Sequence, residues 1–173
     1  MIKRNIIIII LSIPHIVFSQ KFGYVNSEFI LSNMKEYKIA LDEIELLSKA
    51  WEKEISDMYI DIEKKEIELK TEQILLTKDM YDSKRENLDK EWNTIRDYQN
   101  KVFGFEGLYF LKKKELIEPI QDIIFESIER VAKKNRLQIV FDKSSEPILL
   151  YTNPIHDYTD YVLEDLGLTE KIN

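Results

Sequence analysis

The chain has 173 residues, no cysteine and a formal charge of −7, so its length fits one domain and disulfide stapling is excluded. Asp and Glu outnumber Lys and Arg by 32 to 25, which excludes a phosphate-backbone surface built on net cationic charge and argues against binding to anionic membranes.

Lys3 and Arg4 precede an apolar run from Ile6 to Ile13, and Val17-Phe18-Ser19 puts small residues at −3 and −1. The stretch 1–19 reads as a secretory signal peptide cut after Ser19 or nearby. The alternative is an anchor that stays attached. No Cys follows the cleavage point, which argues against a lipid-anchored lipoprotein. Without Lys3 and Arg4 the mature chain carries 23 basic against 32 acidic residues, a charge of −9. Export without cysteine suits a Gram-negative periplasm.

Residues 20–34 are the first part of a body. Phe22-Gly23-Tyr24-Val25-Asn26 reads as a strand. Asn26 or Ser27 caps a short helix that turns near Asn33.

Residues 35–135 form a long charged helical arm, interrupted only by Gly104, Gly107 and Pro119. Ile44, Trp51 and Met58 recur by seven. Ile55, Ile62, Leu69 and Leu76 recur by seven four residues behind them. This is a coiled-coil seam, broken at Lys65. Thr77 offers an N-cap, so the arm turns back near 75–78. The alternative is one uninterrupted helix, about 150 Å long at ~1.5 Å per residue and without a partner for its seam. Tyr81, Leu88, Trp92, Ile95 and Val102 repeat the pattern on the returning limb, with gaps at Arg85 and Gln99. Gly104 to Gly107 marks a hinge or a bulge, against a reading as a ligand loop. Ile117, Ile120, Ile124, Ile128 and Val131, with Leu116, Ile123 and Phe125, make a dense apolar face that packs into the body, kinked mildly at Pro119. Asn135 is the candidate left-handed cap.

Residues 136–173 complete the body. Leu137 to Asp142 and Ile148 to Tyr151 read as a β-hairpin around Lys143–Pro147. Asp157 caps a final helix that ends at Gly167. The fold class is α+β: a small β-sheet body with a long α-helical coiled-coil hairpin arm. Three short strands leave open edges, which assembly of several copies would close.

Chemistry is sparse. His156 beside Asp157 is the one histidine of the mature chain, and an ordinary loop histidine competes with a titrating pair. No phosphate-cradling glycine motif occurs. The carboxylates alternate with lysines as a solvated helix surface does. No enzyme, cofactor or metal is expected. Trp51 and Trp92 fall on the repeat, so hairpin packing competes with a role as contact points for a client chain. The candidate contact residues are Trp51, Met58, Tyr59, Tyr81, Trp92, Phe103, Phe105 and Tyr109.

The order of these segments resembles the Skp/OmpH family of periplasmic chaperones. The residues that carry it are Phe22 to Glu28, Ile139 to Lys143, and Tyr161-Val162-Leu163-Glu164-Asp165-Leu166-Gly167, spread over the mature chain. Leu75-Leu76-Thr77 with Phe103 to Gly107 looks like the form found in Bacteroidetes. The resemblance implies a homotrimer whose strands form a small β-barrel and whose arms enclose a cavity. It implies an ATP-independent holdase for unfolded outer-membrane β-barrel proteins, handing them to the outer-membrane barrel assembly machinery. The best-known members have basic arms, whereas Trp51 to Ile120 sums to about −4 here. That argues against lipopolysaccharide contact. A coiled-coil spacer or adaptor of the cell envelope is the competing reading.

Overall fold

The computed structural model describes residues 21–144 and 150–169. The expected signal peptide lies outside them. β1 (Phe22–Val25) leads into α1 (Ser27–Asn33), with Asn26 Oδ1 accepting from the Phe29 amide at 3.0 Å as the N-cap. Met34 is extended and separates α1 from α2 (Lys35–Glu72). A 3-10 turn over Gln73–Leu75 ends this outgoing limb. Thr77 then caps α3 (Lys78–Phe103), its Oγ1 accepting from the Met80 amide at 3.4 Å. The return continues as α4 (Leu108–Asn135), which passes through Pro119 as one helix. β2 (Ile139–Asp142), a 3-10 turn at Pro154–His156 and α5 (Thr159–Asp165) complete the described chain.

Three expectations are corrected. β2 pairs with β1 in parallel, Phe22 opposite Ile139 and Tyr24 opposite Phe141, so the arm is the crossover that a parallel pair requires. The expected hairpin partner at 148–151 falls half on residues outside the description. Leu150 and Tyr151, inside it, are not in a strand. What flanks β1 on its other side is a single bridge from Tyr24 to Asp157. Second, the left-handed residue ending α4 is Arg136 (φ 57°), not Asn135. Asn135 instead stays helical and donates from Nδ2 to the Val131 carbonyl at 2.9 Å. Third, Ile123 and Phe125 point outward, because α4 offers the body a single stripe through Ile117, Ile120, Ile124 and Val131.

Two separate cores result. The body core joins Val25, Ile30 and Met34 to the base of α2 (Ala40, Ile44), the α4 stripe, and Tyr158, Val162 and Leu163. The distal core is Ile62 and Leu69 of α2 against Leu88 and Ile95 of α3. A part-buried polar latch ties α4 to α5: the buried Ser127 Oγ donates to Asp165 Oδ2 at 2.7 Å, and Arg130 Nη2, on the surface, lies 2.8 Å from the same oxygen. These donors, Ser127 first, hold the Asp165 carboxyl below its ordinary pKa.

Candidate functional site

The arm is where any contact surface must be sought, since it carries the long exposed apolar run of the chain. Its two limbs meet along one stripe each. Ile55, Ile62 and Leu69 are buried on α2, and Leu88, Ile95 and Val102 on α3, all at seven-residue spacing. The positions that break the seam are not voids. Lys65 Nζ reaches Glu91 Oε2 at 2.8 Å, Arg85 Nη1 reaches Glu66 Oε1 at 3.0 Å, and Tyr59 Oη donates to Gln99 Oε1 at 2.7 Å. Tyr98 Oη donates to Glu54 and Lys84 pairs with Glu72, so polar contacts cross between the limbs along much of their length. Glu91, and after it Asp61, hold the Lys65 ammonium above its usual pKa.

The glycine segment is a true break. Gly104 ends α3, Glu106 is left-handed (φ 52°), and Gly107 starts α4. A Cβ on Gly104 would stand 2.2 Å from the Asn100 carbonyl oxygen, and one on Gly107 2.6 Å from that of Val102. Only glycine lets the backbone fold back this closely. Trp51 braces the break from the opposite limb. Its ring meets Phe103 edge-on at 6.4 Å, and Phe103 meets Tyr109 at 5.9 Å.

The eight candidate contact residues thus divide. Trp51, Phe103 and Tyr109 form that aromatic brace. Tyr59 and Trp92 meet at 5.6 Å with their rings tilted by 49°, and with Met58 and Tyr81 they pack on the distal core. Phe105 stands apart, 97% exposed.

A second surface was missed. Ile39, Leu46, Ile60, Ile67 and Ile74 form another heptad series on α2 and its end, interrupted only by Lys53. All five are exposed, Leu46 by 69%, Ile67 by 66% and Ile74 by 91%. Ile67 lies five residues beyond the seam residue Ile62, about 140° around the helix at ~3.6 residues per turn. The stripe therefore turns away from the seam, with Ile60 at the rim of the space between the limbs. On α3 the corresponding outer face is polar. The signal was in the sequence as a third seven-residue series; period alone does not say which of several series meets the partner helix.

Among the described residues no helix is long and apolar enough to cross a membrane, and no cluster of His, Asp and Glu could hold a metal ion. No curated protein matches the chain. A crystal structure of a candidate outer membrane chaperone (OmpH-like) from Caulobacter crescentus superposes with a TM-score of 0.68 at 12% identity, over 85% of this chain and 82% of that one. This likeness concerns the fold. The model of the family described as "Outer membrane protein (OmpH-like)" matches residues 21–166. Spanning β1, the arm, β2 and α5, that match places the chain in the OmpH-like family.

Proposed function

We propose that the chain is an ATP-independent periplasmic holdase that binds unfolded outer-membrane β-barrel proteins and keeps them from aggregating in transit. The observation that carries the reading is the exposed aliphatic stripe of α2, which is left uncovered among the described residues. One apolar residue per heptad is half of a coiled-coil seam, which needs two. Such a stripe suits weak contacts with many sequences better than one fixed helix.

Assembly as a homotrimer completes the proposal. Among the described residues Phe22, Ile139 and Phe141 are exposed on a sheet of two strands, whose β1 side meets the chain only at the Tyr24–Asp157 bridge, so apolar surface and strand edge remain uncovered. Three copies closing those edges into a barrel would set three arms around a cavity. Hand-over to the outer-membrane barrel assembly machinery then follows as the next step.

The test uses protein lacking residues 1–19. Light scattering from a urea-diluted outer-membrane barrel protein is expected to fall as the protein is added, and static scattering to give three chains per particle. Unchanged client aggregation would remove the holdase reading. The competing spacer or adaptor gains support from the polar contacts across the limbs, which keep the two helices in register. It predicts a permanent partner recovered with the protein and no effect on aggregation.

A further inference from the structure

Between the limbs, just beyond the aromatic brace, lies a groove of about 580 Å³. Its apolar lining is Ile55, Tyr59, Ile60 and Phe103, and Glu52 and Glu63 stand along it. No Lys or Arg lines it. Among the described residues neither carboxylate has a base within ion-pair distance: Glu52 accepts from Ser48 Oγ at 3.1 Å, and the Lys49 ammonium one turn away, though it feels Glu52, is paired with Glu45. Elsewhere on the arm, acids are neutralised by lysines one turn away, as Asp57 is by Lys53 and Glu86 by Lys90. The groove is thus a local concentration of negative charge over an apolar floor, on a chain that is acidic throughout.

We propose that this groove docks an apolar side chain with cationic neighbours, presented by an extended segment of an unfolded client. The proposal rests on the holdase reading and deepens it. Glu52 and Glu63 are eleven positions apart, three helical turns, or about 16 Å along α2. An extended chain covers that in about five residues. Side chains two apart in such a chain share a face. A segment of the form Lys-x-Phe-x-Lys therefore sets its ring over Ile55, Tyr59 and Phe103 and each ammonium toward one carboxylate. The groove volume lies within the ~300–1,000 Å³ of ordinary ligand sites. A second copy of this chain is a poor occupant. The chain is acidic overall, 32 Asp and Glu against 25 Lys and Arg, so a second copy meets the acidic groove with like charge.

The experiment uses the intact mature protein and two dansyl-labelled peptides with repeated Lys-Ser-Phe-Ser-Lys or Glu-Ser-Phe-Ser-Glu units, followed by anisotropy. The lysine peptide is expected to bind about three- to tenfold tighter, the yield of two exposed ion pairs. The ratio should collapse at about 1 M salt, where the Debye length is about 3 Å. Glu52→Gln with Glu63→Gln should bring the ratio to within about twofold. Asp122→Asn with Glu126→Gln removes the same charge from α4 and should leave it unchanged. Ile60→Ser should weaken both peptides. Equal affinities, no binding of either peptide, or an equal effect of the α4 pair would overturn the proposal. Client aggregation is measured on the same wild-type sample. If the protein suppresses aggregation but shows no lysine preference, only the groove assignment fails; if it does not suppress aggregation, the holdase reading fails.

Discussion

Ile62 is 1% exposed and sits at the middle of the distal core, between Leu69, Leu88 and Ile95. Ile62→Ala removes three carbons from this contact. At about 0.8 kcal/mol per buried methylene the transfer loss is ~2.4 kcal/mol, and an uncollapsed cavity raises it to roughly 4 kcal/mol. The distal core holds four buried residues and shares none with the body core. The loss should therefore appear as opening of the arm tip, not of the whole protein. At ~1.4 kcal/mol per factor of ten, amides of α2 and α3 near residues 58–69 and 84–95 should exchange about 60- to 700-fold faster.

Native-state hydrogen exchange with fragment-level mass analysis reads this directly. Fragments covering Ile117 to Val131 and α5 are expected to keep wild-type protection. Equal acceleration in body and tip would mean that the two cores unfold as one unit, and the break at Gly104–Gly107 would not divide the arm energetically. No acceleration at all would mean that the seam at Ile62 carries no stability.

Gly104→Ala and Gly107→Ala each place a Cβ against backbone carbonyls, so each should cost at least about 1–3 kcal/mol in a denaturant melt, while Gly167→Ala is limited to the strain of its positive φ. The Asp165 carboxyl is held below its ordinary pKa by Ser127 and Arg130, so its contribution is present above the unfolded carboxylate pKa near 4 and is lost as pH falls through the lower folded value. Asp165→Asn should flatten the acid limb of a stability–pH curve below about pH 4, and Ser127→Ala should cost about 1–3 kcal/mol near neutrality, as loss of a buried bond to a charge does. Lys65→Leu, Arg85→Leu and Gln99→Leu together should complete the seam and raise tip protection in hydrogen exchange, since exposed pairs of this kind yield only about 0.2–1 kcal/mol each. If the arms spread to accept clients, as the holdase proposal implies, that triple variant should also hold fewer of them per chain, read as residual scattering at fixed ratio.

Much of the arm was legible because it obeys one-dimensional rules. Seven-residue spacing located Ile55, Ile62 and Leu69, and a capping threonine with no glycine nearby located the reversal at Thr77. The body was harder. β1 and β2 were readable as strands, but their pairing joins residues more than a hundred positions apart, and nothing local in Ile139 to Asp142 states a parallel partner. The Ser127–Asp165 latch was invisible for the same reason: Ser127 sits on an otherwise apolar helix face and meets its acceptor only through the packing of α5. At the contact surface the aromatic residues drew attention by type. Most of them proved to be braces and seam fillers, while plain isoleucines at a third phase of the same repeat are the exposed ones.

The polar positions of the seam change what the arm is physically. A run of leucines there would bind the limbs by buried area, insensitive to salt. Lys65–Glu91, Arg85–Glu66 and Lys84–Glu72 instead hold them by pairs whose side chains remain a third to half exposed. Each exchanges readily with water, so separating the limbs between the buried heptad residues costs little per step. Stiffness is concentrated where apolar residues are continuous, around Ile62 and Leu69 and again at Ile117 to Val131. Between these blocks lie the glycine break, the aromatic brace and the acidic groove. The exposed ion pairs thus run beside the Ile62–Leu69 block, whereas at the groove the limbs are joined by buried Ile55 and Val102, by Trp51 on Phe103, and by the Tyr59–Gln99 and Tyr98–Glu54 hydrogen bonds. On the proposed reading, a segment settling on the groove would meet its exposed rim, Ile60, Glu52 and Glu63, and would leave the packed core around Ile62 in place, so that admitting it would need no unpacking of the distal core.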